Sequence, residues 1–306
     1  MQKNGLVSCS VIGIIVALAA VLVINSCSST GDSSSTRKAD KQFIIKNKGS
    51  DTMVNLAQAW AEAYTGISQT ASVEVSGGGS GTGIAALING TVDISNCSRQ
   101  IKPMELAQAA ENTGKVPHEF IVGYDALAVY VHEHNPLDRI TISELAEIYG
   151  EKGEITKWSQ LGVAHAACQS DKIIRISRQS NSGTYFYFRE ALLGKRRDFG
   201  LGSLDLHGSK DVVEVVERTP CAIGYSGMGY ATEHVKMLAV ATAPGESYYA
   251  PNLENVLAKT YPIARPLYMY SLGEPTGAVK VYLDWILSAE GQKIVEKLGF
   301  VPLVNN

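Results

Sequence analysis

The chain has little that would attract a polyanion or hold a metal. Across 306 residues, 27 Lys and Arg stand against 30 Asp and Glu, giving a formal net charge of -3. No run of like charge exceeds a few residues, which argues against a nucleic-acid or membrane-surface binder working through a basic field. Any anion site must therefore be local, built from a few aimed donors. Cysteine is scarce as well: there are five, with no Cys-x-x-Cys and no metal-site spacing. No Lys follows the glycine-rich stretch ending at Gly83, so it is no Walker A loop. Ile84 stands where a dinucleotide fingerprint needs its third glycine. His132-Glu133-His134 reads as a solvated strand edge rather than half a metal site. There is no internal repeat.

What is present is apolar residue, 45% of the chain, enough for one large domain or two lobes with real cores. The N-terminus reads as a targeting segment. Lys3 is the only charge before Asp32, and Val11 to Ile24 is apolar or glycine throughout. That run is short for a membrane span and typical of a signal-peptide core. It ends in Ile24-Asn25-Ser26-Cys27, which resembles a bacterial lipoprotein box, followed by a Ser-rich stretch. The expected organisation is a signal peptide over 1–26, lipidation at Cys27 (with palmitate as the acyl group) and a flexible tether over 27–41. The alternative is an uncleaved signal anchor with an incidental cysteine. Processing would leave Cys97, Cys168 and Cys221, which allow at most one disulfide and a spare thiol, with the pair undecided.

Beyond the tether, short apolar strands alternate with amphipathic helices, which predicts an α/β fold. Strands are expected at Phe43–Ile45, Val73–Val75, Val92–Ile94, Phe120–Val131, Ile173–Ile176, Cys221–Tyr225 and Leu267–Tyr270. Met53, Leu56, Trp60 and Tyr64 recur at helical spacing, with Trp60 and Tyr64 as core. Pro103 opens a helix that stops near Gly114, and Ser143 is expected to cap another. Tyr185 to Phe188 should pack a helix onto the second half of the chain, and a helical pair should fill Gly277 to Leu298. Phe120–Val131 is long enough to cross between lobes.

One local grammar appears three times: strand, then Ser, Thr and Gly, then helix. The turns are Gly49-Ser50-Asp51-Thr52, Gly79-Ser80-Gly81-Thr82-Gly83 and Ser182-Gly183-Thr184. A helix N-terminus exposes unpaired N–H groups and a partial positive charge, a ready anion site. Glycine lets the backbone approach closely, and hydroxyls add donors without net charge. Arg178 could add a forked, charge-assisted contact. Three such termini at one point could hold a dehydrated tetrahedral oxyanion.

These motifs, in order with Asp93-Ile94, Ser98-Arg99, Asn135-Pro136, Ile155-Thr156-Lys157-Trp158, Ala222-Ile223-Gly224-Tyr225 and Tyr261-Pro262, resemble the phosphate-binding proteins of bacterial phosphate ABC importers. The resemblance runs from about Phe43 to Pro302. It implies a two-lobe periplasmic-binding-protein fold of type II, with lobe one at 42–122 and 267–306 and lobe two at 123–266. It also implies an extracytoplasmic, lipid-anchored monomer that binds inorganic phosphate in the cleft and delivers it to importer permease subunits and their ATPase, without cofactor, catalysis or nucleic acid. Ser50, Asp51 and Thr52 fall in the family's first phosphate loop, Ser80 in the second, and Arg178, Ser182, Gly183 and Thr184 in the third. Where one branch of the family carries a proton-accepting aspartate, this chain has Ser98. Asp51 is the candidate substitute for that acceptor, against the simpler reading that it caps its helix. Arg99 is expected to steer the anion or to pair with Asp51 or Asp93. The other readings are a binder of sulfate or molybdate, a sensor on the same fold, or a phosphatase, for which no histidine lies near the three loops in sequence.

Overall fold

The computed structural model describes residues Gln42 to Leu303. The expected signal peptide, Cys27 and the expected tether lie outside them. In chain order the elements are β1 (Phe43–Gly49), α1 (Val54–Thr65), β2 (Ala71–Ser76), α2 (Ser80–Ile88), β3 (Ile94–Cys97), α3 (Pro103–Thr113), β4 (Pro117–His132), β5 (Arg139–Thr141), α4 (Ile142–Tyr149), β6 (Ile174–Arg178) and α5 (Gly183–Leu193). They continue with β7 (Leu204–Leu206), α6 (Ser209–Arg218), β8 (Ala222–Gly227), β9 (Val235–Met237), β10 (Ala239–Ala241), α7 (Leu253–Leu257), β11 (Ala264–Leu272), α8 (Gly277–Leu287) and α9 (Ala289–Lys297).

The strands join in the order β2-β1-β3-β11-β4-β8-β6-β7, with β9 also on β4. The two ends are parallel units: β1 with β2 and β3, and β6 with β7 and β8. Helices return the chain between parallel strands, so helix N-termini collect at the strands' C-terminal ends, where open α/β sheets bind ligands. The centre is antiparallel. β4 pairs with β11 from Pro117 to Ala126 and with β8 from Leu127 to Val131, so one long strand serves both halves.

Each half has its own apolar core. One gathers Ile45, Trp60, Val122, Met269 and Tyr282. The other gathers Val129, Tyr149, Trp158, Phe188 and Tyr225, where the Phe188 ring stacks on Tyr225 at 3.9 Å between centroids. Trp60 and Tyr64 are buried as their helical spacing requires. Cys168 is disulfide-bonded to Cys221, and Cys97 is the buried free thiol, its pKa pushed up to about 12 by burial.

Two boundaries differ from the sequence reading. Thr141, not Ser143, caps α4: its hydroxyl accepts the Glu144 N–H at 3.1 Å while the Glu144 carboxylate accepts the Thr141 N–H at 2.8 Å. That reciprocal box satisfies two orphan donors together. Asp93 lies just before β3; its carboxylate accepts the Lys46 N–H at 2.8 Å, fixing the entry of β3 against β1.

Candidate functional site

β1 ends at Gly49 with φ +150°, and a Cβ there would lie 2.1 Å from the Asn96 carbonyl oxygen. Only glycine lets β1 and β3 come this close, and the approach brings Ser50 beside Ser98. The Ser50 hydroxyl donates to Ser98 Oγ at 2.9 Å, and Ser80 Oγ accepts the Ser98 N–H at 3.0 Å. Thr52 Oγ1 lies 2.7 Å from Thr184 Oγ1 and 3.3 Å from Ser209 Oγ. Gly183 opens α5 directly against this group: a Cβ there would lie 2.3 Å from Ser80 Oγ and 2.7 Å from Ser98 Oγ. Ser182 caps α5, accepting the N–H groups of Thr184 and Tyr185. The hydroxyl residues of this cluster are at most 2% exposed.

The N-terminal ends of α1, α2, α5 and α6 therefore meet at one point, through two sets of hydroxyls, Thr184–Thr52–Ser209 and Ser50–Ser98–Ser80, that Gly183 brings side by side. Buried hydroxyls at the positive ends of helices suit a dehydrated anion, because each donor is already oriented. Two guanidiniums back the cluster. Arg178, 1% exposed, donates to Ser209 Oγ at 2.9 Å and to the His207 carbonyl at 3.0 Å, and stands 3.5 Å from Asp51 Oδ2. Burial pulls its pKa down, and the Asp51 charge works against that pull. Arg265, on β11, binds Asp125 on β4 at 2.8 Å, the Ser98 carbonyl at 3.0 Å and Thr184 Oγ1 at 3.0 Å. Burial raises the Asp125 pKa more than Arg265 lowers it. Because Thr184 Oγ1 accepts from Arg265, its own proton is left to donate elsewhere.

Of the residues picked from the sequence, Ser50, Asp51, Thr52, Ser80, Ser98, Arg178, Ser182, Gly183 and Thr184 come together here. Asp51 Oδ1 accepts the Gly78 N–H at 2.7 Å, so it braces the second loop rather than capping its own helix, whose N-cap is Met53. Arg99 does not make the ion pair expected of it. It pairs with Glu105 through bonds of 2.8 and 2.7 Å, not with Asp51 or Asp93. Burial would raise the Glu105 pKa, but the Arg99 bonds and the Lys102 amide outweigh it and the value is lowered.

Six residues were missed. Gly208-Ser209 before α6 repeats the strand–glycine–hydroxyl–helix grammar and could have been read as a fourth turn. Asp125 is the only charge between Phe120 and Val131, and a charge in an apolar strand needs a buried partner, which is Arg265. Asn181 and His207 carried no usable signal. The Asn181 carbonyl accepts the Gly81 N–H at 3.0 Å, its amide donates to the Gly78 carbonyl at 2.9 Å, and His207 Nε2 lies 3.7 Å from Asp51. Among the described residues, no three His, Cys, Asp or Glu side chains gather as a metal site, and no helix is long and apolar enough to cross a membrane.

Two parallel-sheet halves around shared central strands, with helix N-termini meeting between them, define a two-lobe binding protein of the periplasmic type II class. A family model described as PBP superfamily domain matches residues 30–290. Phosphate-binding protein PstS of Pseudomonas aeruginosa is 34% identical over 269 residues, covering 85% of this chain and 83% of that protein. The chain belongs to the PstS-like phosphate-binding proteins of the PBP superfamily. Protein SphX of Synechococcus elongatus is also 34% identical, over 86% of this chain and 78% of its own. A Clostridium perfringens crystal structure, described as a phosphate ABC transporter substrate-binding protein with bound phosphate, superposes with a TM-score of 0.75 at 30% identity, covering 85% of this chain and all of that one (100%). An ABC-type phosphate transport receptor from Vibrio cholerae gives 0.67 at 27% identity, again over 85% and 100% of the two chains.

Proposed function

We propose that this protein is an extracytoplasmic solute-binding protein that holds inorganic phosphate between its lobes and delivers it to an ABC importer. The observation that carries this reading is the junction of four helix N-termini through buried Ser and Thr hydroxyls, with Arg178 and Arg265 behind them. A micromolar Kd corresponds to roughly 8 kcal/mol. Several hydrogen bonds to a charged group, at about 1.5–3 kcal/mol each, supply that even after the cost of closure. The ligand contacts are taken to be Ser50, Thr52, Ser80, Ser98, Arg178, Ser182, Gly183 and Thr184, with Ser209 added from the fold and Arg99 set back behind Glu105.

Asp51 is taken as the acceptor of the phosphate proton. Monohydrogen phosphate has one O–H to give, and sulfate has none, so a buried carboxylate beside the anion favours the first. The lobe limits are taken at 42–122 with 267–306, and 123–266, with hinge strands β4 and β11. The protein acts as a monomer without catalysis, tethered to the membrane by lipid on Cys27.

The test is chemical. Protein purified without added phosphate and then unfolded should release inorganic phosphate in close to stoichiometric amount. Release of sulfate or molybdate in its place would assign the site to another oxyanion.

A further inference from the structure

A groove of about 510 Å³ lies immediately outside the buried cluster and shares Ser98 and Arg265 with it. Five cations line it, Arg99, Lys102, Arg189, Lys195 and Arg265, against one acid, Glu190. This concentration of positive charge stands out in a chain whose net charge is -3. Arg99 and Arg189 are each tied to a carboxylate, Glu105 and Asp198. Even so, the Nε atoms of both are buried without a hydrogen-bond partner among the described residues. No carboxylate lies within ion-pair distance of Lys102 among the described residues, and Lys195, 87% exposed, lies 3.7 Å from Glu190 at the solvent edge.

The walls come from both halves. Arg99 and Lys102 follow β3, whereas Phe186 and Arg189 stand on α5. The Phe186 ring carries Lys102 Nζ at 4.2 Å, the Arg99 guanidinium at 5.3 Å and that of Arg189 at 5.8 Å from its centroid. Cations held over a ring in this way are attracted by its negative face.

From this we infer that the groove is a capture site for phosphate, separate from the buried one and used before it. This rests on the phosphate reading above and deepens it. In the open form the cations take the dianion loosely at the mouth, beside Ser98 and Arg265. As the anion moves inward and the lobes close, Phe186 replaces it over Lys102 and Arg99. The site raises the rate of association without adding contacts to the final complex, because its groups are re-partnered there.

The test uses the full chain, with Lys102→Glu and Lys195→Glu combined, and inorganic phosphate as the probe. Association is followed by stopped-flow change in intrinsic fluorescence, and thermal melting confirms folding. At low salt the association rate should fall by about fivefold or more with dissociation nearly unchanged, as expected for charges at the rim of a site. The gap should close near 1 M salt, where the Debye length is about 3 Å. Lys102→Arg with Lys195→Arg should keep the wild-type rate. An unchanged association rate with the wild-type salt slope overturns the inference, as does an equal effect on dissociation. A wild-type protein that takes up no phosphate overturns the underlying reading as well.

Discussion

Asn181 and Gly81 join the turn before α5 to the turn before α2 by a backbone hydrogen bond of 3.0 Å, with the Asn181 amide adding a second bond to the Gly78 carbonyl at 2.9 Å. A Cβ at Gly79 would lie 2.7 Å from the Asn181 carbonyl, so the glycine there is what permits this contact. Hydrogen bonds between protein groups therefore contribute to holding the two halves together. Asn181→Ala keeps the backbone bond and removes the side-chain one. It should weaken phosphate binding by about 0.5–1.5 kcal/mol, the net worth of one hydrogen bond, through faster dissociation. Dissociation rates equal to wild type in stopped flow would remove Asn181 from closure.

Arg178 is buried beside Ser209 and Asp51. Arg178→Ala should weaken phosphate binding by about 2–4 kcal/mol, since a buried dianion loses its forked partner and Asp51 is left facing it. Unchanged affinity in calorimetric titration would rule out this role.

Asp125 and Arg265 are both essentially buried, at 0% and 1% exposed. Breaking a buried pair from one side strands the other charge, which costs about 3–5 kcal/mol. Asp125→Asn should lower stability on that scale in urea unfolding, and also weaken binding, because Arg265 then no longer holds Thr184 and the Ser98 carbonyl in place. A change below about 1 kcal/mol would place the pair among those of little net worth.

Much of this was legible in the sequence, for a physical reason. Strand–turn–helix units repeat locally, and glycine followed by a hydroxyl marks where a helix N-terminus must face something. That exposed Ser50, Ser80 and Thr184, and Gly208-Ser209 carries the same mark. Contacts between distant strands left no local trace. The Arg265–Asp125 pair depends on β4 and β11 lying side by side, 140 residues apart in the chain. The pairing expected of Arg99 with Asp51 or Asp93 failed for the opposite reason: its partner, Glu105, is only six residues away on α3, and the local carboxylate won.

The Arg99–Glu105 pair has a pH signature. The folded Glu105 pKa lies below its ordinary value of 4.5, so the native state takes up this proton less readily than the unfolded chain. The stabilisation is present above about 4.5 and is lost as pH falls through the folded value. The melting-temperature gap between wild type and Glu105→Gln should therefore be widest near neutral pH and close in acid. A gap that is constant across that range would show that the carboxylate's charge contributes nothing.

Calorimetric titration of the ligand-stripped full chain, wild type beside Asp51→Asn, with phosphate and with sulfate, tests the central claim most directly. Wild type should bind phosphate tightly, as one ion per chain, and sulfate far more weakly. The Asp51→Asn protein should narrow that preference by about 2 kcal/mol or more, because the carboxylate that accepts the phosphate proton and opposes sulfate is gone. Sulfate binding as tight as phosphate in the wild type, or no binding of either, would contradict the account.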